Sequence, residues 1–119
     1  MTTINSELVR KQFGEVSKTI RYGQSVSTKI KKVVNTSTYT TNGEYLLVVK
    51  DVDNCVITLD GYTTESIKIK VLTKTNIVPK YSLIDDQYEE IEIDNGACVE
   101  LEYVEGNWYI ISSDGMKLE

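Results

Sequence analysis

The chain has 119 residues, a formal net charge of −5, and no histidine, one proline, one tryptophan and eight tyrosines. That length holds one domain with a modest core, and leaves room for an arm. The missing histidine excludes His-dependent triads and the commonest zinc sites, and the acidic balance argues against general nucleic-acid binding.

Thr, Val, Ile and Tyr are abundant, which favours strands over helices. The sequence has no apolar run of about 18 residues. It also lacks the leader pattern of a basic start, an apolar middle and a small-residue cleavage site. The expectation is therefore no membrane contact and synthesis in the cytosol. Cys55 and Cys98 both sit within apolar, strand-like runs. Two buried thiols are expected there rather than a disulfide.

Residues 4–20 place Ile4, Leu8, Val9, Phe13, Val16 and Ile20 near one face of a helix, with Asn5 or Ser6 as a cap. Gly14 weakens that helix by about 1 kcal/mol relative to alanine. The segment reads either as a short helix over about residues 6–17 or as an extended arm that orders against a neighbour. Residues 1–34 carry seven Lys/Arg against Glu7 and Glu15, a net of +5; residues 35–119 carry six against sixteen, a net of −10. A basic leader on an acidic body reads as an arm that docks on something acidic. The alternative is a solvated, lysine-rich edge strand. As a docking arm, its contact candidates are Leu8, Val9, Arg10, Lys11, Phe13, Val16, Lys18, Arg21 and Tyr22.

Val26–Val34 mostly alternates and predicts a strand. The polar run Asn35–Gly43 marks the boundary, giving an arm over 1–34 (short helix or arm, plus a strand) and a β-domain over 35–119. Tyr45–Val49 is a continuous apolar run, so both its faces are expected to be covered. Cys55, Ile57 and Leu59 share one face, and Asp60-Gly61 turns. Ile67, Ile69 and Val71 point one way, with Lys68 and Lys70 opposite. Asn76–Pro79 and Tyr81–Ile84 read as short edge strands, because Pro79 cannot donate to a ladder. Glu89–Ile93 turns Ile91 and Ile93 inward. Ala97, Val99, Leu101 and Tyr103 form another face, and Trp108 with Ile110 the last. The expected fold is mainly β: an antiparallel β-sandwich or barrel with an N-terminal arm or short helix. Its core should contain Ile57, Leu59, Ile67, Ile69, Val71, Ile93, Val99, Leu101 and Trp108.

The order of these motifs resembles a small β-structured domain of tailed-phage virion proteins, of the tail-fibre, head-fibre or decoration type. The resemblance covers about residues 45–113. It rests on Tyr45–Lys50, Val56-Ile57-Thr58-Leu59, Ile67-Lys68-Ile69-Lys70, Ile77-Val78-Pro79, Leu83-Ile84-Asp85, Asn95–Leu101 and the closing Gly106-Asn107-Trp108-Tyr109-Ile110-Ile111. Two turns depart from the family pattern: Asp60-Gly61 stands where it often has proline, and Asp86 where it often has glycine. The resemblance implies a structural virion protein (head-fibre, decoration or connector) that self-associates, often as a trimer, and docks on other virion proteins. A second reading is a receptor- or glycan-binding module with a host glycan as partner.

No catalytic constellation is legible. Asp51-Val52-Asp53-Asn54 begins like a calcium loop, but Val56 and Tyr62 stand where that loop needs glycine and glutamate. The run Asp85, Asp86, Glu89, Glu90 and Glu92 does not define two carboxylates across a cleft. The chain is expected to be no enzyme and to need no cofactor or metal. Tyr103 and Trp108 are expected in the core and Tyr109 outward. Tyr22, Tyr39, Tyr62 and Tyr88 are expected at an interface or rim.

Overall fold

A computed structural model describes residues 29–118 of the chain. The fold is mainly β. The strands are β1 (Lys31–Val34), β2 (Thr38–Thr40), β3 (Leu46–Val49), β4 (Cys55–Leu59), β5 (Ser66–Val71), β6 (Thr75–Pro79), β7 (Ile91–Val104) and β8 (Asn107–Leu118). No helix occurs among the described residues. The helix-or-arm alternative for residues 4–20 lies outside them.

The sheet is mixed, which corrects the antiparallel expectation. Strands β1, β3 and β5 form one parallel stack, and β2, β4 and β6 a second. The chain alternates between the stacks, so each strand pairs with the next but one, running the same way. Turn signals such as Asp60-Gly61 are therefore corners of a coil, not hairpins. Partners lie 15 and 22 residues apart in the first stack, as in Lys31 to Leu46 to Lys68. In the second they lie 18 and 20 apart, as in Thr38 to Val56 and Cys55 to Thr75.

Strand β7 closes the coil. Its first part pairs antiparallel with β6 (Ile91 with Ile77, Ile93 with Thr75), and its later part with β5 (Cys98 with Lys70, Glu102 with Ser66). The sequence reads two strands here, split at Asn95-Gly96. The structure runs them as one, with Gly96 at a φ of +94° where the strand crosses between stacks. Glycine takes that conformation without a steric penalty. Strand β8 then returns antiparallel along β7.

The expectation for Pro79 is also corrected, because β6 is an interior strand between β4 and β7. Lys80 N–H donates to Leu59 O toward β4, so the nitrogen of Pro79 faces the β7 side. Pairing with β7 has already ended there, at Ile77, and the missing donor costs no ladder bond. Tyr81–Ile84 is not a strand. It forms only the isolated bridges of Ile84 to Tyr88 and Trp108.

One apolar core lies between the stacks. Inward rows run Val34–Val49–Val71 and Leu47–Ile69–Val99 on one side, and Ile57–Ile77–Ile91 on the other. All nine residues expected in the core are buried. Trp108 is fully buried, and its ring lies 5.2 Å from that of Tyr103. Tyr103 in turn packs so closely over Gly61 that a Cβ there would meet the ring at 2.3 Å. In β3, Leu47 and Val49 are buried while Leu46 and Val48 are only half covered. One side of that apolar run therefore faces outward, against the expectation of two covered faces.

Candidate functional site

The parallel register of β1, β3 and β5 joins residues far apart in sequence into rows on one outer face. One row reads Lys31, Leu46, Lys68, Glu100, Ser112; the next reads Val33, Val48, Lys70, Cys98, Asp114. By alternation Lys50 and Leu72 extend the face beyond β3 and β5. Val33 is 50% exposed and Leu72 47%. An apolar strip thus lies among lysines. Beside it, a groove of about 410 Å³ runs along β5, β7 and β8, with Leu46, Lys68, Lys70, Glu100 and Ser112 among its lining.

The polar groups of this face interlock. Lys68 Nζ lies 3.3 Å from Glu100 Oε2, and Ser112 Oγ donates to Glu100 Oε1 at 2.7 Å. The Ser112 hydrogen bond, followed by that of Lys68, holds the Glu100 carboxyl below its usual range. Tyr45 lies under two ammonium groups, Lys29 at 4.5 Å and Lys68 at 5.2 Å from its ring centre. The Lys68 hydrogen bond and then the two positive charges lower the Tyr45 pKa. Lys68 itself is raised, by its hydrogen bonds to Tyr45 and Glu100. Lys70 Nζ donates to Gly96 O at 2.6 Å. These three ammonium groups are oriented, and Glu100 offsets only part of their charge.

Across β7 and β8 the sign of the face changes. The segment 83–85 lies along the far edge of β8, where Asp85 N–H donates to Trp108 O and Trp108 N–H to Leu83 O. Asp85 Oδ1 accepts from Ile110 N–H at 2.9 Å. Tyr109, paired with Glu102 in the adjacent strand, donates its hydroxyl to Asp86 Oδ1 at 3.3 Å. The Tyr109 pKa is raised, first by desolvation and then by the charges of Asp86, Glu105 and Asp85. This side of the sheet, at the opposite edge from β1, is therefore negative, with Asp86 in contact with the phenol.

The remaining sequence candidates scatter. Leu8, Val9, Arg10, Lys11, Phe13, Val16, Lys18, Arg21 and Tyr22 lie outside the described residues. Cys55 is buried, which raises its thiol pKa. Cys98 is exposed, against expectation, because it occupies an outward position of β7 between Lys70 and Asp114. Tyr39 is no rim residue but an inward residue of β2, paired with Ile57. Its hydroxyl makes a short hydrogen bond to buried Glu44, whose other oxygen accepts from Asn42 N–H at 2.7 Å. Burial and then Glu44 push the Tyr39 pKa up to about 12. Tyr88 packs against the core. Tyr62 and Tyr81 are each 83% exposed. They follow the register-matched ends of β4 and β6, beside the Lys80–Asp60 pair at 3.8 Å.

The acidic run 85–92 is dispersed over separate jobs. Asp85 holds a backbone amide, Glu90 accepts from Asn76 Nδ2 at 2.7 Å, and Glu92 pairs with Lys74 at 3.4 Å. Among the described residues no three His, Cys, Asp or Glu side chains gather as a metal site. Nor is any helix among them long and apolar enough to cross a membrane. No protein-family model matches the chain, and no curated protein matches it in sequence. The alternation of Ile67–Leu72 marked Lys68 and Lys70 as outward, but only the parallel register brings them beside Lys31, Leu46 and Val48.

Proposed function

We propose that this chain is a structural protein of a phage particle, of the head-fibre, decoration or connector kind. It works by self-association and by docking on other virion proteins, and it catalyses no reaction. The observation that supports this most is the outer face of β1, β3 and β5. There an apolar strip is framed by oriented lysines on a fixed β scaffold, a composition suited to burying a partner surface. The phage assignment itself rests on the order of motifs from Tyr45 to Ile111. It carries with it a homo-oligomer, a trimer by resemblance, and a location in the particle after synthesis in the host cytoplasm. The part of residues 1–34 that precedes β1 would serve as the arm that docks on a neighbour.

A second reading draws on Tyr62 and Tyr81. Two largely exposed rings from adjacent turns of the coil, next to a carboxylate and an ammonium, suit stacking on a host glycan. A glycan array tests it, with loss of any signal in Tyr62→Ala.

Labelled-antibody imaging of purified particles tests the leading reading. It predicts label at a fixed place on the particle. Protein abundant in the lysate but missing from particles would sink it. Deleting residues 1–24 should leave β-type circular dichroism but remove assembly at normal occupancy. A truncated chain that folds and assembles as before would refute the arm.

A further inference from the structure

The geometry points to a head-to-tail contact in which the lysine face of β1 and β3 receives the Asp86–Glu105 edge of a second copy. This inference rests on the assembly reading above and names the two surfaces that reading would use.

The outward side of one sheet carries both charges, separated. Lys29, Lys31, Lys50, Lys68 and Lys70 lie on or beside β1, β3 and β5, where the apolar strip of Val33, Leu46, Val48 and Leu72 is only partly covered. From β7 outward the same side presents Glu100, Glu102 and Asp114, and then Asp86 at the far edge of β8. Glu105 stands at the β7–β8 turn with a φ of +49° and is exposed. Among the described residues no ion pair involves Asp86, Glu105, Lys31 or Lys50.

Within one copy these groups cannot satisfy each other. From β1 through β3, β5, β7 and β8 to the segment at Asp85 is five strand steps. That is about 24 Å along the sheet at the usual strand spacing. The distance is about three Debye lengths at physiological salt, so the charges of one copy are screened from each other. Between copies they can meet, and the partly covered apolar strip supplies area that charge alone does not.

A second copy is favoured over a polyanion by the whole-chain charge of −5, which repels nucleic acid at long range. The two surfaces differ, so the contact is heterologous. Repeated, it closes a ring or grows a filament rather than forming a two-fold dimer.

The experiment uses full-length chains and light scattering coupled to size exclusion, with circular dichroism as a check on folding. One variant carries Lys31→Glu and Lys50→Glu; the other carries Asp86→Lys and Glu105→Lys. The wild type should associate, and each variant alone should associate about tenfold more weakly or less. Mixing the two variants one to one should restore assembly, since each reversed surface then meets its opposite. If both folded variants associate like the wild type, the interface lies elsewhere: this inference fails while the assembly reading stands. A mixture that stays monomeric also overturns it. A wild type that is monomeric at every concentration sinks both. So does a lysine face that binds double-stranded DNA, with loss in the first variant, in place of self-association.

Discussion

The two ends of the coil are built differently. The last turn is closed by β7 and β8, of 14 and 12 residues, and seals the core with Trp108, Leu101 and Ile84, all buried. The first turn has strands of four and three residues, and only Val34 among them is buried. Besides Val34, its inward positions hold the exposed Lys32 and the half-buried Tyr39, with buried Glu44 hydrogen-bonded to Tyr39. The cap is held by apolar burial and a long antiparallel ladder; the first turn is held largely by polar contacts. Stability should therefore concentrate at the cap, and the first turn, whose β1 also carries the lysine face, should open at lower cost.

The largest expected effect is at the cap. Trp108→Ala should cost about 3–5 kcal/mol, read by denaturant melts. Trp108→Phe should cost less, because the indole Nε1 makes no hydrogen bond that the change would break. A melting temperature near wild type for the alanine variant would remove the cap's special standing. Gly61→Ala comes next. Its new Cβ would force the Tyr103 ring off its place beside Trp108, at about 1–3 kcal/mol. A neutral effect would mean that the Tyr103 packing contributes little.

The first turn should instead respond to pH. The folded-state pKa of Tyr39 is raised from 10.0 to about 12. Its contribution is then full below about pH 10 and fades as pH rises toward 12. Thermal melts across that window should lose stability, and Tyr39→Phe should flatten the loss. In ultraviolet titration Tyr45, held down by Lys68 and Lys29, should ionise well before Tyr39. Amide exchange should be faster in β1 and β2 than in β5 and β7; uniform protection would erase the contrast. Smallest of all, Lys68→Met should leave the melting temperature close to wild type, since its partner Glu100 is exposed as well.

Much of the core was legible before the coil was. Period-2 alternation alone marked Ile57, Leu59, Ile67, Ile69 and Val71 as inward, because the side-chain period does not depend on which strand lies next door. Strand pairing does depend on it. Partners spaced 15, 22, 18 and 20 residues apart leave no fixed repeat to find. The corner at Asp60-Gly61 and the mid-strand crossing at Asn95-Gly96 carry the same residues as hairpin turns. The outer face shared that fate. Lys68 and Lys70 read as outward on their own strand, but their convergence with Lys31 on Leu46 and Val48 follows only from the parallel register. Cys98 needed no register, since the alternation that turns Ala97, Val99 and Leu101 inward already turns it outward.

Sedimentation velocity of the full chain, over rising concentration at low and at high salt, tests the central claim most directly. Assembly should grow with concentration and weaken as salt screens the lysine face. A single monomeric species under every condition would contradict it.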